Sequence, residues 1–208
     1  MSSLNLYESL VATIATLDVN TVSAERQKVL QPLIKYIKDK RDENLPIRLN
    51  FICTHNSRRS HLSQIWAQCM AAHYGLSNVH CYSGGTETTA LFPKVLETLI
   101  KQGFITQQLA SENNPVYAIK YGANAPAIIG FSKTYDDDFN PSSEFAAIMT
   151  CFSADEACPI VLGCEERIAI TYKDPKISDG TLQQNEVYLE RSFQIATEMK
   201  LVFRCFGS

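Results

Sequence analysis

The sequence predicts an α/β domain built on a parallel sheet with helices on both faces. Three observations carry this: short β-rich apolar runs alternate with stretches of helical periodicity, the first and best-defined of those runs gives way directly to a polar loop and a helix, and the alternation recurs along most of the chain. In a single sheet that order requires parallel strands. Composition agrees, since 45% of the 208 residues are apolar and 20% charged, values typical of a folded chain rather than a disordered or fibrous one. The length suits one domain with additions.

Residues 4–18 and 23–39 read as two helices, the second placing Leu30, Leu33, Ile34 and Ile37 on one face with Pro32 as a kink. The charged run KDKRDEN and then Pro46 end this N-terminal helical extension, residues 1–46. A strand at Ile47–Ile52 stops at Cys53, and helical periodicity resumes from about Ser60 through Ile65, Trp66, Cys69 and Met70. Val79–Tyr82 reads as a strand ending in Ser83-Gly84-Gly85, Pro93–Gln102 as a helix and Ala146–Cys151 as a strand. A strand at Arg167–Tyr172 and a helix at about Gln184–Phe203 complete the order. Between Glu112 and Glu144 the pattern breaks: Val116–Tyr121 and Ala127–Phe131 form an inserted β-hairpin, followed by a solvated acidic loop at Tyr135–Asp138.

A formal net charge of -3 gives no general attraction to nucleic acid or to an anionic membrane, so neither is expected as a partner. Any anion binding must come from local donors. The N-terminus lacks a basic start and carries Glu8 and Asp18 around a short apolar stretch, fitting neither a signal peptide nor a membrane span, so the cytoplasm is the expected location. Seven cysteines, an odd number in a chain too long to need staples, read as reduced thiols, some of them reactive. Cys69 and Cys81 lie in apolar contexts and read as small buried hydrophobes. His73 and His80 read as surface or partly buried polar residues.

The chemistry points to Cys53-Thr54-His55-Asn56-Ser57-Arg58-Arg59-Ser60. This segment lies where a strand gives way to a helix, the position at which open parallel sheets bind ligands. Backbone N–H groups of such a loop converge inward, and the helix N-terminus adds partial positive charge, so residues 54–60 form an anion cradle. Arg59 supplies a planar fork for two oxygens of phosphate or arsenate, which lysine cannot. The same field favours the thiolate of Cys53, making it a nucleophile. Ser60 is placed to donate a hydrogen bond to that sulfur, and Asn56 to adopt the left-handed turn.

These residues resemble the low-molecular-weight protein tyrosine phosphatase superfamily, and within it the thioredoxin-coupled arsenate reductases. The resemblance spans about residues 47–206, apart from the insertion. It rests on CTHNSRRS at 53–60, YSGG at 82–85 with LFP at 91–93, MTCFSADEACP at 149–159, and Asp174-Pro175. It implies a four-stranded parallel sheet flanked by helices, Cys53 as nucleophile, Arg59 as oxyanion ligand, Asn56 and Ser60 as loop-ordering residues, Asp174 as general acid, and no cofactor. His55 stands where the family usually has glycine, and Arg58, where it usually has an uncharged residue, is expected to add positive potential. Lys176-Ile177 replaces the aromatic pair of the phosphatases, which weakens the case for phosphotyrosine docking.

Arsenate reduction takes two electrons, so a thiolate holding arsenic must be attacked by a second thiol, and a third must carry the disulfide outward to an external reductant. Cys151 fits the second role and Cys158 the third, with a thioredoxin-like protein as electron donor. In a helix these two would lie about 10 Å apart, whereas a disulfide needs Cα atoms within about 7 Å, so the segment must unwind; Pro159 and the polar run suit a mobile loop. Cys164 is an alternative resolving thiol, though a structural role suits it better. The favoured function is therefore arsenate reduction. The alternative is phosphate monoester hydrolysis through a Cys53 phospho-intermediate, and a third reading is a metal-binding module using Cys53, His55, His61, Cys151 and Cys158. Against the last, the chain has no C-x2-C pair, and Arg58 and Arg59 would repel a cation.

Overall fold

A computed structural model describes residues 5–157 and 160–207. Helix α1 (Glu8–Thr16) is shorter than its apolar pattern: the chain turns extended at Leu17, and Asp18 caps a 3-10 turn at Val19–Thr21 by accepting from Asn20 N. Ser23 caps α2 (Ala24–Asp42) by accepting from Arg26 N, and the helix continues through Pro32 with Leu30, Leu33, Tyr36 and Ile37 buried. β1 (Ile47–Cys53) is buried at every position but Arg48, as expected of a strand covered on both faces. It leads through the loop into α3 (Arg59–His73).

β2 (Val79–Gly85) and α4 (Pro93–Lys101, with proline in its first turn) follow. The inserted hairpin is β4 (Val116–Lys120) and β5 (Ile128–Gly130), joined by a further strand, β3 (Ile105–Ala110), in an antiparallel sheet of order β3-β4-β5. β3 is largely exposed, and its residues ITQQLA carry no inward apolar alternation by which the sequence would mark a strand.

β6 (Phe145–Met149), α5 (Phe152–Ala157), β7 (Cys164–Ala169) and α6 (Gln184–Arg204) complete the chain. The main sheet is parallel throughout, in the order β2-β1-β6-β7. From β1 the chain moves outward to β2 and then returns to β6 on the other side of β1. That reversal opens a crevice at the carboxyl ends of β1 and β6. Cys53 ends β1 and Cys151 lies two residues beyond β6, so the topology alone brings both cysteines to one place.

Alternation along β1 and β6 serves two faces. Leu49, Phe51 and Ile148 join the larger core with α3 and α6, while Ile52, Cys53, Ala147, Met149 and Cys151 form a smaller cluster with Ala154 and Val161. In the larger core Trp66 meets Phe104 edge-on at 5.0 Å and its indole donates to Ser192 Oγ at 2.9 Å. Cys69 and Cys81 are buried there, and burial pushes both thiols far up. The N-terminal helices are tied down by polar contacts: the Arg26 fork clasps buried Glu198 of α6 with both bonds at 2.8 Å, and Lys200 Nζ donates to the α1-end carbonyls of Ile14 and Leu17. No helix among the described residues is long and apolar enough to cross a membrane.

Candidate active site

The loop's shape follows from a few residues. Asn56 takes the left-handed conformation (φ 44°), which asparagine tolerates better than most residues. His55 is not among the positive-φ positions, so the histidine in the family's glycine position carries no left-handed strain. Asn56 Oδ1 accepts from Lys133 N at 3.0 Å, and its amide donates to Ser60 Oγ at 2.9 Å. Ser60 Oγ lies 3.1 Å from Cys53 Sγ. Because that oxygen already accepts from Asn56, its own hydrogen is free to point at the sulfur. Gly85 lies directly beneath the loop: a Cβ there would meet Thr54 O at 2.7 Å and Asn56 N at 2.8 Å. Gly84 is as confined, since a Cβ there would stand 2.3 Å from Tyr135 Cα, so the Ser-Gly-Gly end of β2 lets the loop and the 131–135 segment close over it.

His61 holds the loop from behind. Its Nε2 lies 2.9 Å from Asn56 O and its Nδ1 3.3 Å from Ser83 Oγ. Burial, reinforced by the Lys133 charge, pushes its pKa down to about 3, so the ring is neutral and structural. Among the described residues no three His, Cys, Asp or Glu side chains gather as a metal site. Lys133 is itself buried, with its ammonium 4.5 Å from the Phe131 ring and 5.3 Å from the Phe139 ring. Burial pushes it down to about 8 against the opposing pull of Asp137.

Cys53, His55, Ser57, Arg58, Arg59 and Asp174 line the recess above the sulfur. Arg59 Nη2 pairs with Asp174 at 2.5 Å and Nη1 donates to Tyr172 O at 3.1 Å. Its Nε is buried without a protein partner among the described residues. Asp174 Oδ1 also accepts from Lys176 N, so the carboxylate caps the 3-10 turn Pro175–Ser178. Thr54 Oγ1 lies 3.4 Å from Cys151 Sγ. Ser57 Oγ donates to Ala90 O at 2.7 Å. The partly exposed His55 ring is 3.5 Å from Glu87, while its carbonyl accepts from Thr89 and Ser132 hydroxyls.

The expectation that Arg58 adds free positive potential is corrected. Its Nη2 pairs with Asp179 at 2.6 Å, its Nε donates to Tyr188 OH at 2.5 Å, and its guanidinium lies 4.1 Å over the Phe92 ring. The side chain is thus paired with a carboxylate and turned towards α6. Asp179 and Tyr188 carry no motif, and nothing local in the sequence signals them.

Cys151 is buried, and its sulfur accepts from Ala154 N at 3.3 Å at the start of α5. The polar run after it forms that helix rather than an open loop, held by the Arg167–Asp155 pair at 2.6 Å. Cys158 and Pro159 lie outside the described residues. Cys164 is partly exposed at the start of β7.

Residues 48–119 match the model of the low molecular weight phosphotyrosine protein phosphatase family. No curated protein matches the chain. A YwlE mutant from Bacillus subtilis has a similar structure, with 12% identity and a TM-score of 0.50, covering 76% of this chain and 97% of that one. A low molecular weight protein tyrosine phosphatase from T. tengcongensis is similar at 16% identity and TM-score 0.50, covering 76% of this chain and 99% of that one. A thioredoxin-dependent arsenate reductase from Corynebacterium glutamicum aligns with 19% identity over 94% of this chain and 82% of its own, at a TM-score of 0.41 that decides nothing. At these identities the structural likeness is one of fold. Residues 48–119 are thus similar in sequence to the low molecular weight phosphotyrosine protein phosphatase family, and the chain shares its fold with the solved structures of such phosphatases.

Proposed function

We propose that the protein reduces arsenate to arsenite through a thiol relay of Cys53, Cys151 and Cys158, with a thioredoxin-like protein as the reductant. The observation that carries this reading is the second thiol: Cys151 Sγ lies against Thr54 of the anion loop and shares a buried cluster with Cys53. Ester hydrolysis has no use for a thiol there. Arsenate bound by the loop amides and Arg59 Nε loses water as the Cys53 sulfur bonds to arsenic(V). The Cys151 thiolate then attacks the Cys53 sulfur; the S–S bond forms, the S–As bond breaks, and its electron pair leaves with arsenic as arsenite. Cys158 in turn attacks Cys151 and frees Cys53 as the thiolate. Six helical residues, Phe152–Ala157, separate the two outer cysteines, a rise of about 10 Å between their Cα atoms in a continued helix, so α5 must unwind for the second exchange.

A second reading, phosphate monoester hydrolysis, draws on Asp174, which lines the same recess as Cys53 and would serve as the leaving-group acid. It needs only Cys53, Arg59, Asp174 and water. The two are separated by assaying the purified protein side by side for thioredoxin-coupled arsenate reduction and p-nitrophenyl phosphate hydrolysis, with Cys151→Ser as control. The relay predicts that this variant loses multiple-turnover reduction and keeps whatever hydrolysis the wild type has; unimpaired reduction in it would overturn the relay.

A further inference from the structure

The two consecutive arginines of the loop hold opposite ends of one short segment. Arg59 pairs with Asp174 at its start and Arg58 with Asp179 at its end. Between them the Pro175–Ser178 turn has little apolar anchorage: Pro175 and Ser178 are buried, but Ile177 is 81% exposed and nearby Leu182 is 97% exposed. Polar contacts must therefore hold the segment in place. Those of Arg58 are nearly saturated: Nε faces Tyr188 OH, Nη2 faces Asp179 Oδ2, and the flat cation stacks over Phe92. Tyr188 OH donates to Asp179 Oδ1 at 2.7 Å and Gln184 adds a bond to the same oxygen at 3.1 Å. Arginine, carboxylate and phenol thus close a ring that ties the anion loop, the 174–179 segment and α6 together. Burial and the Asp179 carboxylate hold the Tyr188 phenol well above its ordinary pKa, so it remains a donor.

We propose that Arg58 is a positioning residue: through Asp179 and Tyr188 it latches the segment carrying Asp174 over the anion loop, and so sets where the Asp174 carboxyl stands relative to Cys53. The assignment rests on the reading of this loop as an oxyanion site. It gives the loop's two arginines different work, Arg59 touching the anion and Arg58 aligning the acid. A planar fork shared between a carboxylate and a phenol is also geometry that lysine does not reproduce.

The test uses the full chain with Asp179→Asn, Tyr188→Phe and Arg58→Lys, reading amide hydrogen exchange of residues 174–183, the Kd for inorganic phosphate, and kcat for phenyl and p-nitrophenyl phosphate. In Asp179→Asn, exchange in 174–183 is expected to rise about tenfold or more with the amides of α3 unchanged. Phosphate affinity stays within about threefold, while kcat falls about tenfold further for phenyl phosphate, whose poor leaving group needs the acid, than for p-nitrophenyl phosphate. Tyr188→Phe and Arg58→Lys should show the same pattern more weakly. Equal slowing of both esters with phosphate binding weakened more than tenfold would make Arg58 an anion ligand instead. In a competent wild type, unchanged exchange and an unchanged ester ratio in Asp179→Asn overturn the latch alone. A wild type that binds no phosphate and turns over neither ester nor arsenate overturns the oxyanion reading and the latch with it.

Discussion

Replacing Asp174 by asparagine separates two things its carboxylate does. In the free protein the carboxylate occupies Arg59 Nη2 at 2.5 Å, so an arriving oxyanion shares that guanidinium with a like charge. If a dianion bound through Arg59 stands about 5 Å from the carboxylate, their repulsion is about 1.7 kcal/mol at the dielectric of water and about twice that at half the dielectric. The Asp174 side chain is 34% exposed, which favours the lower figure. Asp174→Asn should therefore tighten inorganic phosphate and arsenate by about tenfold, the equivalent of about 1.4 kcal/mol. The same substitution removes the proton donor, so hydrolysis of phenyl phosphate should fall by about 100-fold while p-nitrophenyl phosphate falls much less. Both effects are read from one set of assays: Ki for phosphate and arsenate against ester hydrolysis, and kcat for the two esters. Weaker oxyanion binding in the variant would contradict the repulsion, and equal slowing of the two esters would contradict the acid role of Asp174.

Arg59→Lys keeps the charge but loses the buried Nε donor and the bond to Tyr172 O, so kcat/KM on either substrate should fall by about 100-fold; near-normal values would contradict the loop geometry. Gly85→Ala forces a methyl within 2.8 Å of Asn56 N and Thr54 O, and is expected to cost at least about 2 kcal/mol in urea denaturation, with loss of phosphate binding. Lys133→Met should stabilise the protein by about 1–3 kcal/mol at pH 7, because burial lowers the folded pKa to about 8 and the folded state alone bears the cost of the charge. The unfolded chain binds more protons than the folded one between about pH 8 and the ordinary lysine value. Wild-type stability therefore rises across that window, and the variant's advantage fades by about pH 10; an advantage that grows with pH would show the sign to be wrong.

The parts of the fold legible in the sequence are those where local pattern and tertiary role agree. β1 is apolar at five of its seven positions, interrupted by Arg48 and Asn50, and buried at every position but Arg48 because both its faces are covered, and the loop after it announces itself because asparagine and serine at those spacings answer to backbone geometry. Asn56 accordingly takes the left-handed turn and Ser60 stands beside the Cys53 sulfur, as the pattern implies. What local pattern does not encode is the identity of a distant partner. Arg58 reads as free charge until Asp179 and Tyr188, more than a hundred residues away, are folded against it. His61 and Lys133 are polar letters in ordinary contexts, and only the closing of β2 and the 131–135 segment over the loop buries them. β3 escapes notice for the opposite reason, since an exposed strand has no buried face to impose alternation. α5 forms where a mobile loop is expected because Cys151 Sγ and Arg167 supply bonds from outside the segment.

The relay is tested most directly by mass spectrometry under non-reducing conditions after a single arsenate pulse to Cys158→Ser. The position of Cys151 against the Cys53 loop predicts one arsenite released per protein and a chain two hydrogens lighter, its disulfide mapping to Cys53 and Cys151, whereas Cys151→Ser releases no arsenite by internal attack. Fully reduced protein after the pulse in wild type and both variants, with ester hydrolysis proceeding normally, would contradict the relay and leave the phosphatase reading in its place.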